Sequence, residues 1–127
     1  MSSVTVSDRL APLVGGMVRA AETDIGRGIV AGHDEDYEVS AAGETGTIVR
    51  MREGKLSLVD VSEGQPGFCA YTRVIFDPSA VPQIVEGTLT PAEAADNGGM
   101  LMRSRLYGGG QFMGLLRLAQ KLDLLQG

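Results

Sequence analysis

The chain has 127 residues, of which 43% are hydrophobic and 21% are charged, and this length and balance are typical of one globular domain with a single core. Its formal net charge of −5 repels nucleic-acid backbones, and the one arginine cluster, Arg103 and Arg105, has no interleaved aromatic residues, so we expect no nucleic-acid partner. No stretch approaches the roughly 18 uninterrupted apolar residues of a membrane span, so stable membrane insertion is not expected.

The first predicted element is an amphipathic helix over about residues 8–23. Leu13, Val14 and Met17 recur at helical spacing, and Ser7 precedes them as a candidate cap. Because Gly15-Gly16 lowers helix propensity in the middle, this helix must depend on packing.

Short strands are predicted over about residues 25–76. The segment 25–30 is a weak strand candidate because two glycines interrupt it, and GHDED at 32–36 indicates a turn. Residues 37–41 alternate between apolar and polar side chains, and further strands are predicted at 47–52, 56–61 and 68–76. Short turns between short strands are typical of an antiparallel meander.

Helices and one last strand are predicted over about residues 77–125. Asp77-Pro78 starts a short helix, and the capping box Thr90-Pro91-Ala92-Glu93 starts a second one. The strand at 100–107 places alternate residues on one face, namely Met100, Met102, Ser104 and Leu106. The final helix, at about 110–125, has an apolar arc wider than one sheet contact requires. It must therefore cover another helix, a partner chain or an apolar ligand.

Residues 87–102 contain a spaced motif. Its members reproduce the spacing G-x-L-x-P-x-x-A-x-x-x-G-x-L-x-V, with methionine at the last two positions, and are Gly87, Leu89, Pro91, Ala94, Gly98, Met100 and Met102. This pattern resembles the sterol carrier protein 2 (SCP2-like) lipid-transfer family. The segment TRVIFDPSAVPQIVEG at 72–87 and the glycine-started terminal helix are similar to the family as well, so the resemblance covers about residues 37–122. This chain has Ser104 where the family has a glycine.

The resemblance implies a single SCP2-like α+β domain over residues 1–127. It implies a largely antiparallel sheet of five or six strands, helices covering one face, and an apolar cavity between sheet and helices. It also implies binding or transfer of sterols, fatty acyl groups or similar lipids. We expect no cofactor. The composition agrees, because methionine and leucine linings adapt to hydrocarbons of different shape and each buried CH₂ contributes about 0.8 kcal/mol.

The residues expected to line this cavity lie on the strand at 100–107, which we call the methionine strand, on the terminal helix, and in the segment that precedes this strand. They are Phe76, Val85, Met100, Met102, Leu106, Phe112, Leu115, Leu116 and Ala119. Gly109 and Gly110 precede a helix N-terminus whose free N–H groups attract anions, so they are candidates for holding a lipid headgroup. The alternative for every one of these residues is an ordinary core or turn position.

Two other function classes stay open. In an enzyme, polar groups for the same cavity would come from Asp60, or from Tyr71 and Arg73 on one face of the strand predicted at 68–76. If that face of the strand is exposed to solvent, Tyr71 and Arg73 have no such role. In an interaction subunit, the terminal helix would pack on a partner or on a second copy as a homodimer. We predict no metal site and no defined catalytic residue, because no nucleophile–base pair, phosphate loop or metal-spaced Cys/His set is present. His33, beside three acidic residues, is interpreted as part of a solvated turn.

The cysteine content indicates a compartment. Cys69 is the single cysteine, which excludes an internal disulfide and is compatible with a reducing environment. The N-terminal MSSVTVSDRL has neither the basic start nor the apolar run of a secretory signal. We therefore expect a cytoplasmic protein.

Overall fold

The structure, a computed structural model, describes residues 6–61, 70–104 and 110–125, with the side chains of residues 70, 71 and 104 outside the description. In these ranges the chain forms helices and strands in the order α1 (Ala11–Ala21), α2 (Asp24–Val30), β1 (Glu35–Ala41), β2 (Thr47–Arg52), β3 (Lys55–Asp60), β4 (Ala70–Phe76), α3 (Ala80–Glu86), α4 (Pro91–Asn97), β5 (Met100–Ser104) and α5 (Gly110–Lys121).

The strands form one mixed sheet in the order β3-β2-β1-β4-β5. The pairs β1–β2, β2–β3 and β4–β5 are antiparallel, while β4 lies parallel to β1. The prediction of a largely antiparallel sheet is therefore confirmed. The prediction of one continuous meander is wrong at β4, because turn spacing alone does not distinguish a hairpin from a crossover to the other edge of β1.

Helices cover one face of this sheet, as the fold class requires. Alternate residues of the strands point toward the helices and join buried residues of α1, α3, α4 and α5 in a single hydrophobic core. Among these strand residues are Tyr37, Val39, Val74 and Phe76. We call the face of the sheet that carries these strand residues the inner face. On the outer face, Asp36 is fully buried and accepts two hydrogen bonds from Arg50, at 2.9 and 3.0 Å.

The strand predicted at residues 25–30 is wrong, because this segment is the helix α2. The Thr23 hydroxyl caps it by accepting a hydrogen bond from the Gly26 backbone N–H at 3.0 Å. A Cβ at Gly26 would lie 1.8 Å from the Ala20 carbonyl oxygen. The glycine that weakened the strand prediction therefore lets α2 begin directly against the end of α1.

The capping box predicted at Thr90 is confirmed. The Glu93 N–H donates to the Thr90 hydroxyl at 3.1 Å, and the Thr90 N–H donates to the Glu93 carboxylate at 2.9 Å. Helix α4 ends at Gly98, which has the left-handed backbone conformation that favours glycine. This stop turns the chain directly into β5 and so fixes the position of the methionine strand.

Candidate functional site

An apolar layer lies between the inner face of the sheet and α5. It contains most residues predicted to line a cavity: Phe76, Met100, Phe112, Leu115, Leu116 and Ala119 are buried in the common core, with Val85 and Met102 half-buried against it. Leu106 lies outside the described residues. The alternation predicted for the last strand is observed, because Met100 and Met102 pair with inner-face Phe76 and Val74.

The terminal helix is held over this layer by an aromatic contact and by hydrogen bonds. The Phe112 ring packs on Tyr37 with centroids 5.3 Å apart. Near the other end of α5, the Gln120 side-chain amide donates to the carbonyls of Ile84 at 3.0 Å and Leu89 at 2.8 Å. Helix α5 is thus tied to β1, to the end of α3 and to the segment before α4. These contacts lie within the chain and cover much of the apolar arc that the sequence left without a partner.

One cleft lies on each side of α2. The larger has a volume of about 380 Å³ between α1, α2 and the β2–β3 turn, and its lining residues are Val18, Ala21, Glu22, Arg27, Gly54, Lys55 and Leu56. The smaller, of about 200 Å³, separates α2 from α5 and is lined by Ile25, Ile29, Gly114, Arg117, Leu118 and Lys121. The lining of each cleft includes both apolar and basic side chains. Neither was predicted from the sequence, because α2 itself was not predicted.

A buried polar cluster lies at the start of β1. Glu35 is only 6% exposed, and the Tyr37 hydroxyl donates a hydrogen bond of 2.5 Å to its Oε1. His33 Nδ1 lies 3.2 Å from Glu35 Oε2, but the pair is not aligned as a hydrogen bond. The sequence interpretation placed Glu35 in a solvated turn and therefore missed this cluster. Extending the alternation of Tyr37 and Val39 two residues back would have placed Glu35 on the inner face.

This arrangement of sheet and helices occurs in solved structures. A ubiquinone synthesis protein, UbiJ-SCP2, matches with a TM-score of 0.59 and 12% identity, over 94% of this chain and 98% of its own. The sterol carrier protein domain 2 of Helicoverpa armigera matches with a TM-score of 0.58 and 14% identity, over 97% and 95%. Sterol carrier protein 2 from Yarrowia lipolytica, in its apo form, matches with a TM-score of 0.55 and 12% identity, over 94% and 98%.

This chain has the SCP2 fold. The resemblance seen in residues 87–102 is thus confirmed at the level of the fold, with 95–98% of each of these neighbours' chains matched. No family model matches the sequence, and no curated protein matches it either. The identities of 12–14% to these neighbours show the fold and leave the ligand to be argued from this chain's own residues.

Of the three residues considered for an enzyme, Arg73 and Asp60 have described side chains. Arg73 lies on the outer face, away from the helices, with its side chain 57% exposed and 3.7 Å from Glu38. The side chain of Tyr71 lies outside the description. Asp60 is half-buried at the end of the edge strand β3. The side chain of Arg73 therefore does not reach the apolar layer.

The headgroup candidates lie at the start of α5. Gly110 is its first residue and is exposed, while Gly109 lies outside the described residues.

Within ranges 6–61, 70–104 and 110–125, no group of three or more His, Cys, Asp or Glu residues is placed to hold a metal ion. Over the same part of the chain, no helix has the length and apolar character needed to cross a membrane.

Proposed function

We propose that this domain binds a lipid or another small apolar molecule, with the hydrocarbon held in the apolar layer between the sheet and α5. One observation carries the proposal: in an SCP2 fold, the inner face and the terminal helix of this chain meet in one core of apolar and aromatic side chains, among them Met100, Phe112 and Tyr37. The structural neighbours include two sterol carrier proteins and a ubiquinone synthesis protein, and sterols and ubiquinone are both lipids.

The chemistry of the layer favours hydrocarbon over a polar ligand. Met100 and Met102 are unbranched and polarizable, so their side chains adapt to apolar groups of different shape. Each CH₂ that a ligand buries contributes about 0.8 kcal/mol, so a chain of several methylenes needs no ion pair to be retained.

Entry beside α2 fits the position of the clefts. Helix α2 has seven residues, and the clefts on its two sides reach the half-buried side chains of Leu56, Ile29 and Leu118. The larger cleft, at about 380 Å³, falls within the roughly 300–1,000 Å³ typical of small-molecule sites. Displacement of this short helix would join the clefts to the apolar layer and admit a hydrocarbon.

The test is a titration with diphenylhexatriene, a fluorescent hydrocarbon without a headgroup. Folded protein is expected to take it up saturably. Ala119→Met, which fills the layer at a fully buried position, should weaken uptake. Ala95→Met, on the exposed side of α4, is the matched control and should leave it unchanged. Circular dichroism confirms that each variant is folded. Absence of saturable uptake of this probe and of fluorescent sterols and fatty acids would remove the proposal.

A further inference from the structure

Glu35 is a carboxylate within the side of the sheet that faces the helices. It lies on the inner face, opposite Met51 of β2 in the strand register. Its Oε1 accepts the hydrogen bond of the Tyr37 hydroxyl, whereas its Oε2 is buried and receives no hydrogen bond from the described residues. Burying a carboxylate oxygen without a hydrogen-bond donor lowers the stability of the fold, so a buried oxygen of this kind calls for an explanation.

Among the described residues, the basic group beside this oxygen is His33, which does not donate a hydrogen bond to it. The imidazole of His33 is 38% exposed and sits on the solvent side of the cluster. Its Nδ1 is near enough to Oε2 for an ion pair but is not directed at it as a donor. Oε2 therefore keeps an acceptor position that a ligand donor can fill.

This acceptor lies at the polar end of the apolar layer. Phe112, a central residue of that layer, contacts the Tyr37 ring, and the hydroxyl of the same tyrosine holds Glu35. Tyr37 is fully buried, so its ring continues the apolar surface while its hydroxyl fixes the carboxylate. A hydrocarbon lying against Phe112 and Tyr37 would bring its own terminal group toward Glu35.

We propose that Glu35 Oε2 accepts a hydrogen bond from the hydroxyl of the bound lipid, so that the domain selects long-chain alcohols over carboxylates and esters. The inference rests on the proposed function of the apolar layer. An alcohol supplies the donor that Oε2 lacks. A fatty carboxylate would place a second negative charge beside Glu35 where water is excluded, and like charges repel strongly there. An ester offers acceptors only and leaves Oε2 unsatisfied.

The experiment displaces diphenylhexatriene from the intact chain with three competitors of equal chain length: a straight-chain alcohol, its carboxylate and its methyl ester. It is run at mildly alkaline pH, below the concentration at which the competitors form micelles. The alcohol should displace the probe at about tenfold lower concentration than the other two, because a hydrogen bond to a charged group contributes a factor of ten or more. Equal displacement by all three overturns the inference but leaves the proposed function intact. If neither this probe nor a fluorescent sterol or fatty acid binds, the proposed function is removed instead.

Two variants locate the selectivity. Glu35→Gln removes the charge and presents an amide donor, so the preference for alcohol over carboxylate should fall at least about tenfold. Glu38→Gln lies on the same strand with its side chain on the outer face, and it should keep the wild-type preference. An unchanged preference in folded Glu35→Gln overturns the assignment. If that variant does not fold, the displacement series on the wild-type chain decides alone.

Discussion

Tyr37 on β1 and Phe112 on α5 lie with their ring centroids 5.3 Å apart and their planes inclined by 40°. Both side chains are fully buried and are among the largest in the core. This tilted arrangement is one that aromatic pairs favour. The contact joins the central sheet to the terminal helix, across the layer in which we place the ligand.

Replacing Phe112 with alanine is expected to lower the free energy of unfolding by about 3–5 kcal/mol, because the change empties a ring-sized volume that neighbouring side chains only partly refill. Urea denaturation measures this. Leu122→Ala is the control: Leu122 is 46% exposed just beyond α5, so its loss should stay within about 0.5 kcal/mol. Equal effects of the two substitutions would show that Phe112 does not hold α5 in place.

The elements that the sequence predicted well are those decided by neighbouring residues. Helix α4 begins at Thr90 because Thr90 and Glu93 satisfy each other's backbone groups within one turn. Met100 and Met102 share the inner face because side chains alternate along any strand. These interactions need no knowledge of distant parts of the chain, so a sequence pattern is enough to find them.

The features that were missed depend on distant contacts. Helix α2 contains two glycines, and only the approach of Gly26 to Ala20 explains why one of them is needed. Strand β4 pairs with β1 in parallel, and turn signals carry no information about that partner. Glu35 is the exception: it was assigned to a turn because it lies in the charged segment GHDED, although extending the alternation of β1 two residues back would have placed it on the inner face.

The capping box at α4 gives a stability prediction that depends on one local contact. Thr90→Ala removes the hydroxyl that accepts the Glu93 N–H. The expected loss in the free energy of unfolding is about 1 kcal/mol, as is typical for an N-cap substitution. Denaturation in urea at neutral pH measures it. Thr88→Ala, an exposed threonine just before the box, is the control and should have a smaller effect.

The same box gives a pH prediction. The hydrogen bond from the Thr90 backbone N–H, and then the side-chain interaction with Thr90, lower the pKa of the Glu93 carboxyl below its usual range, although desolvation acts in the opposite direction. A group with a lowered pKa in the folded state stabilises the fold above its unfolded pKa and loses that effect as pH falls through the folded value. Wild type should therefore exceed Glu93→Gln in stability at neutral pH, and the difference should shrink in acid. Unfolding curves recorded across this range test it; a difference that grows in acid would contradict the sign.

The buried ion pair on the outer face should be important for stability. Asp36 is fully buried and Arg50 is 19% exposed, with two hydrogen bonds between them. Asp36→Asn removes the buried carboxylate that accepts both guanidinium hydrogen bonds, so we expect a loss toward the lower end of about 3–5 kcal/mol in the free energy of unfolding. Asp24→Asn breaks a pair with Arg27 that is exposed on both sides, and it should cost less than about 1 kcal/mol. Comparable losses, measured by chemical denaturation, would mean that burial of Asp36 adds nothing.

The packing of α2 against α1 gives a test with two glycines of one helix. A Cβ at Gly26 would meet the Ala20 carbonyl oxygen at 1.8 Å and the Ala21 Cα at 2.9 Å, whereas a Cβ at Gly28 would have no neighbour within 4 Å. Gly26→Ala must displace the short helix and should cost at least about 1–3 kcal/mol in the free energy of unfolding. Gly28→Ala should instead stabilise the chain by about 0.4–1 kcal/mol, because alanine restricts the unfolded state and favours helix. Urea denaturation of both variants separates the two effects. If the two changes have the same sign and size, α2 is not seated on the end of α1, and the clefts that flank it lose their structural basis.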